Sequence, residues 1–323
     1  LADQLSDVLR QFDPVDGIFF DMCWDQKSSS KWAIDGMKQL GLDPADDADQ
    51  GTYAHKVALD YMKRFYKQVK QSNPNATVYF NSRPLFNLPE EIPYLSQVEI
   101  EALPTGGWGY MYFPKNVRYT RRLDRPFLGM TARSHKSGAD FGGLKPYPAL
   151  EYETSQMIAH GARCSIGDQL HPRGTLDRAT YDLIGKVYQR VADREPWLVD
   201  AEPLTQVAVL QTESGSGKEG AGTAEGAVRL LQQLRHQFDI IAPSSNLKQY
   251  DLLILPDLPV VDAALGKKID TFVKAGGALL ATGLCGLSAD GKTSHVSALP
   301  IKPLGLHDYE TTYLRVGREI ADD

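Results

Sequence analysis

Short apolar runs of four or five residues alternate along this chain with longer stretches in which apolar positions recur every three or four residues, the pattern of a parallel α/β protein. Leu1, Leu5, Val8, Leu9 and Phe12 share one helical face and lead into an aromatic-rich run, 15–20, that is predicted to be a buried strand. Because a leucine opens that helix directly, the chain is expected to begin in mid-domain. Residues 26–50 are polar and Asp-rich and predict a long excursion with one short helix near 31–40. Val57, Tyr61, Phe65 and Val69, spaced by four, predict a helix over 52–71 that stops at Ser72-Asn73-Pro74-Asn75. Strands are predicted at 77–80, 97–101, 127–131 and 162–168, and helices at 118–123, 152–161 and 177–194.

Five strands alternating with helices imply a parallel sheet with crossover helices. Five is three short of a closed eight-stranded barrel, so either the sheet is open or the first strands lie upstream of Leu1. Composition shifts at 196–203, and a second α/β unit follows. Its strands are predicted at 206–210, 239–241, 252–255 and 277–281 and its helices at 224–238 and 263–275, a small flavodoxin-like layout. The domain division is therefore 1–200, 201–290, and 291–323 as a linker with the start of a possible further β segment at 309–318.

Within that second unit, Gly215-Ser216-Gly217-Lys218-Glu219-Gly220 formally matches a dinucleotide fingerprint after a strand. The reading is rejected. The glycines lie in a long Ser/Gly/Glu loop, and the next strand does not end in an acid able to bind ribose. A phosphate-binding P-loop fails too, because Lys218 is followed by Glu219 and position 212 is not glycine.

Composition narrows the function classes. With 323 residues, 42% of them hydrophobic, there is enough apolar material for a sizeable core. A net charge of -6 with acids and bases interspersed leaves no basic stripe, which argues against nucleic acid and anionic membrane surfaces as partners. No stretch approaches the roughly 18 consecutive apolar residues of a membrane span, and no signal-peptide pattern opens the chain. Compartment stays open. Cys23, Cys164 and Cys285 are far apart and fit neither a disulfide framework nor a zinc site, so they read as small buried apolar residues. No metal or organic cofactor is called for.

The chemistry concentrates at strand exits, where parallel sheets expose polar groups. The first strand stops at Asp21, followed by Trp24; the second exits into Asn81 and Arg83. In the third, Val98 and Ile100 share one face while Glu99 and Glu101 share the other, and in a closed barrel both acids would point inward. Gly106-Gly107-Trp108-Gly109-Tyr110 then supplies flexible backbone and two aromatic faces suited to stacking on a sugar ring, unless it is a tight turn with a packed Trp. The fourth exit carries Arg133, His135 and Lys136, which could bind substrate hydroxyls or form a solvated loop. The fifth carries Asp168 and His171. The competing reading of Asp21 is a turn cap or an ion pair with Arg83 or Arg133.

Phe20-Asp21-Met22-Cys23-Trp24 resembles the nucleophile strand of the alpha-L-fucosidases of glycoside hydrolase family 29. The stretches 99–110 and 131–143 resemble the hypothetical glycosyl hydrolase 6 group, related to family 151 fucosidases, and 201–285 resembles the trimerisation domain of family 42 beta-galactosidases. The resemblance implies a (β/α)8 barrel of which this chain carries strands four to eight, a retaining exo-glycosidase acting on terminal sugars such as alpha-L-fucose, and a homotrimer with the Trp108 loop near a subunit boundary. Asp21 carries over as nucleophile. The acid/base is not fixed by a matching motif, and Glu101, nearest the exit, stands first with Glu99 second. Trp24, Asn81, Arg83, Trp108, Arg133, His135, Lys136, Asp168 and His171 are the expected substrate contacts. The alternative function is a non-catalytic carbohydrate-binding or assembly protein.

Overall fold

The computed structural model describes residues 1–323 apart from 87, 137–141, 213–217, 258–260, 289–290 and 306–323, and apart from the side chains of 218–223. The glycine loop around Gly215, part of the His135 loop, and the possible strand at 309–318 lie outside the described residues.

The first unit runs α1 (Ala2–Gln11), β1 (Gly17–Phe20), α2 (Lys31–Gln39), α3 (Asp47–Ser72), β2 (Thr77–Phe80), β3 (Val98–Glu101), α4 (Tyr112–Thr120), β4 (Phe127–Ala132), α5 (Tyr147–Ala159), β5 (Arg163–Gly167) and α6 (Arg178–Ala192). β1 and β2 pair in parallel, as do β3, β4 and β5 in that order. The two sheets are joined at Ser96, whose backbone N–H donates to Val78 O at 2.9 Å while its hydroxyl accepts from Val78 N–H at 2.9 Å. Within each of these sheets neighbouring strands are consecutive in the chain and parallel, though the single sheet expected is here two.

Burial explains the layering. Phe20, Val78 and Phe80 pack on Met62, Phe65 and Val69 of α3 and on Leu5 and Leu9 of α1, the face that the spacing of four marked out. Ile100 packs with Phe113 and Val117 of α4 and Met157 of α5. Gly129 lets β4 approach these helices, since a Cβ there would sit 2.6 Å from both Met157 and Phe113 side chains. The other strand face is left to the cleft described below.

Helix starts differ from expectation for identifiable reasons. The third helix opens at Asp47, capped by the Asp46 carboxylate accepting from Asp49 N–H at 2.9 Å. α4 and α5 begin about six and five residues earlier than the apolar spacing suggested, because Pro114 and Pro148 sit in first turns, where proline costs no hydrogen bond.

The second unit runs β6 (Val207–Leu210), α7 (Lys218–Gln233), β7 (Phe238–Ile241), β8 (Leu252–Leu255), α8 (Ala263–Lys274) and β9 (Ala278–Ala281). Its sheet is parallel with order β7-β6-β8-β9. α8 covers one face through Leu265, Ile269 and Phe272. The opposite face, with Val209, Phe238, Ile240 and Ile254, is covered by Val228 and Leu231 of α7 and by Tyr119 of α4. A helix of the first unit therefore packs against the second sheet.

Candidate active site

β1 and β2 end level, with Phe20 opposite Phe80, so Asp21 and Asn81 are the first residues past the paired ends. Hydrogen bonding continues one step further, from Asn81 N–H to Phe20 O at 2.8 Å and from Cys23 N–H to Asn81 O at 3.0 Å. Both chains then turn through left-handed backbone at Met22 (φ 60) and Ser82 (φ 64). Side chains other than glycine or asparagine seldom adopt that region, and such residues gather where a fold re-aims its functional groups. Nothing in the sequence marks these two turns.

The carboxylates converge here. Asp21 Oδ1 accepts from Met22 N–H at 2.9 Å and from Asn81 Nδ2 at 2.8 Å, and the same Asn81 nitrogen donates to Glu101 Oε2 at 3.3 Å. The two acceptor oxygens are therefore within about 6 Å of one another. Glu99 lies one layer below Glu101 on the same face of β3. All three acids line a cleft of about 600 Å³, together with Phe19, Trp24, Tyr79, Asn81, Trp108 and Tyr112.

Charge in the cleft is lopsided. Burial, then the charges of Glu101 and Asp21, push the Glu99 carboxyl up to about 7. Burial and Glu101 push the Tyr112 phenol up to about 12, so it remains a hydrogen-bond donor. The aromatic floor is made by Phe19 and Tyr79, with ring centroids 5.2 Å apart, and Phe19 is 51% exposed. On the wall, Trp108 meets Tyr112 edge-on at 4.9 Å. An acid pair beside exposed aromatic rings can protonate or attack a polar centre while a ring face is held by stacking.

Arg83, expected to contact substrate, is held in place by three acceptor groups. Its Nε and one terminal nitrogen grip Glu91 at 3.1 and 2.5 Å, and the other donates to Asp25 Oδ1 at 2.5 Å and Cys23 O at 2.8 Å. Its guanidinium is buried and holds the segment after Asp21, and Arg83 also lines the cleft beside Asp21 and Asn81. Tyr61 helps, donating its hydroxyl to Cys23 O at 2.7 Å. Asp25 Oδ2 also lies 3.1 Å from His55 Nδ1. The ion pair weighed for Asp21 is formed by Asp25 instead.

The exits of β4 and β5 are not among the residues lining this cleft. Arg133 Nε donates to Asp168 Oδ1 at 2.6 Å, a largely buried pair that ties the two exits to each other. His135, Lys136 and His171 are exposed, and His171 Nδ1 accepts from Arg173 N–H. These five expected contacts do not line the cleft that holds the carboxylates. Cys23 and Cys285 are buried and Cys164 half-buried, all three as free thiols. Among the described residues no group of three or more His, Cys, Asp or Glu side chains is arranged to hold a metal ion, and no helix is long and apolar enough to cross a membrane.

The fold is thus α/β with parallel sheets, and the relatives of this chain are glycosidases. Residues 228–304 match the Beta-galactosidase trimerisation domain family. The solved structure of alpha-L-fucosidase isoenzyme 2 from Paenibacillus thiaminolyticus is 38% identical and superposes with a TM-score of 0.85, covering 91% of this chain and 46% of that one. Beta-galactosidase BgaP of Planococcus sp. (strain L4) is 23% identical over 265 residues, 71% of this chain and 39% of its own. The beta-galactosidase of Bacillus circulans sp. alkalophilus shares the fold at 15% identity with a TM-score of 0.60, covering 73% and 40%. The chain spans less than half the length of each of these relatives.

Proposed function

We propose that the cleft belongs to a retaining exo-glycosidase that releases a terminal sugar such as alpha-L-fucose. The observation that carries this is the pair Asp21 and Glu101, bridged by one amide nitrogen across an open cleft. Retaining hydrolysis needs two carboxyls about 5–5.5 Å apart and inversion about 6.5–9.5 Å, and a separation of at most about 6 Å between facing oxygens favours the first. The 38% identity to an alpha-L-fucosidase supports the choice of sugar.

In this reading Asp21 attacks the anomeric carbon while Glu101 protonates the departing glycosidic oxygen, and Glu101 then takes a proton from the water that frees the sugar. Glu99, its carboxyl raised to about 7 by burial and by its acidic neighbours, keeps its proton to higher pH than an ordinary glutamate and so limits the negative charge beneath them. Asn81 orients both carboxylates; Trp24 and Trp108 offer ring faces. The strands of residues 1–200 serve as the fourth to eighth of a (β/α)8 barrel, and 201–290 form a flavodoxin-like domain. Arg133, His135, Lys136, Asp168 and His171 follow the exits of later strands of that barrel, at the same end as Asp21 and Glu101.

Asp21→Ala is expected to cut turnover of an aryl alpha-L-fucoside by at least about 1,000-fold, with partial rescue by azide, which can enter the space left by the carboxylate. Near-normal turnover by a folded Asp21→Ala protein would falsify the assignment. Sugar binding without turnover in the unaltered protein would favour the carbohydrate-binding or assembly reading.

The match to a trimerisation domain supports a homotrimer built on the second unit. A ring of three closes by rotation through head-to-tail contacts. Light scattering is expected to give three chain masses, and a concentration-independent monomer would rule the trimer out.

A further inference from the structure

One buried ion pair takes no part in the proposed chemistry. Lys145, in the connection between β4 and α5, is fully buried and donates to Glu153 Oε2 of α5 and to Thr131 Oγ1 of β4, both at 2.8 Å. Thr131 donates in turn to the same Glu153 oxygen at 2.6 Å. That oxygen is saturated, and the carboxylate is locked in one orientation by two scaffold elements. Its other oxygen, Oε1, accepts from the hydroxyl of Tyr110 at 3.0 Å.

Tyr110 is two residues past Trp108, which forms a wall of the cleft. The backbone on either side of Trp108 is left-handed, at Gly107 (φ 104) and Gly109 (φ 75), with open space around both glycines. A segment of this kind has many accessible conformations and needs a tie to hold one of them. The Tyr110 ring meets Tyr152 edge-on at 5.8 Å, one residue before Glu153, so ring and hydroxyl are anchored on the same turn of α5. A buried lysine and carboxylate are a costly way to fill space compared with apolar side chains. What they supply is a fixed, charged acceptor, and charge-assisted hydrogen bonds are stronger and more directional than neutral ones.

We propose that Glu153, held by Lys145 and Thr131, is a positioning residue that sets the angle of the Trp108 wall through the Tyr110 hydroxyl. The tie thereby fixes affinity for pyranosides that present an apolar ring face. This rests on the glycosidase reading for its consequence but not for its mechanics, and the test separates the two.

Tyr110→Phe removes only the hydroxyl, from a side chain that is 44% exposed and tolerant of change. It is expected to raise KM about fivefold while kcat stays within about twofold, because ring stacking is lost from ground and transition states alike. In a Trp108→Ala background the same substitution is expected to add nothing, the signature of two residues acting through one contact. Without any substrate, acrylamide quenching of tryptophan fluorescence is expected to increase in Tyr110→Phe, and the increase should vanish in a Trp108→Phe background. Unchanged quenching, or an equal rise in KM with and without Trp108, overturns the proposal. Increased quenching in a protein that turns over no glycoside supports the tie and sinks the glycosidase reading alone.

Discussion

The acids at two places in this molecule are treated in opposite ways. In the cleft, Asp21, Glu99 and Glu101 are accompanied among the described lining residues by one cation, Arg83, whose guanidinium also binds Glu91 and Asp25. At the junction of the two units, Asp239 of β7 is completely buried and surrounded by donors. Arg121 reaches Oδ1 through two nitrogens at 2.9 and 2.7 Å, Arg122 Nε reaches Oδ2 at 2.6 Å, and Thr205 and Tyr250 donate at 2.6 and 3.0 Å. The first group is left to repel itself at strand ends; the second acid is neutralised in mid-strand. An unneutralised acid cluster is what acid/base chemistry needs, whereas a saturated one can only hold pieces together.

The comparison breaks most sharply at Asp239. Burial alone would push its carboxyl up, but the hydrogen bond from Arg122, the charge of Arg121 and the Thr205 hydroxyl hold it below the ordinary aspartate value. Asp239→Ala would leave two guanidiniums facing each other without a counter-charge, Arg121 among them buried, and is expected to cost about 3–5 kcal/mol of stability in denaturant unfolding. The pH dependence has a definite sign. A depressed carboxyl stabilises the fold above its unfolded pKa of 3.8, and that contribution is lost as pH falls below that value. A variant as stable as the parent protein at neutral pH would show that the junction is held by its apolar contacts alone.

These contrasts also explain what could be read from the chain. Periodicity recovered the strands and their parallel pairing because these depend on local side-chain alternation and on helical crossovers between strands. It placed Glu99 and Glu101 on a common face for the same reason. The ion pairs were out of reach, since Arg121 and Asp239 are 118 positions apart and Arg83 and Asp25 are 58 apart. Arg83 follows a strand exit and lines the cleft, and the same position lets it reach back to the neighbouring exit as well, which the sequence did not show. Asp239 was visible only as a strand residue, for its two cationic partners come from the end of α4, a helix whose start the sequence misplaced. Polar residues at strand ends were legible as candidates; which of them were already spent was not.

Glu99 offers the finer contrast with Asp239, because its shift runs the other way. Its carboxyl is raised from 4.5 to about 7 by burial first and by Glu101 and Asp21 next. The folded state therefore keeps a proton that the unfolded chain has released, so ionising Glu99 costs stability progressively as pH rises from about 4.5 to about 7. Asp239 loses its contribution in acid; Glu99 loses its own on the way to neutrality. Glu99→Gln mimics the protonated form at every pH and is expected to flatten that part of the stability curve. The parent's kcat/KM should change over the same range if the charge that Glu99 gains alters proton transfer by Glu101, and that change should be absent from Glu99→Gln. Urea unfolding at intervals between pH 5 and pH 8 measures the first effect, and kcat/KM over the same range the second. Curves of equal slope for Glu99→Gln and the parent would mean that Glu99 titrates like an exposed acid, and the electrostatic difference between cleft and junction would then rest on Asp239 alone.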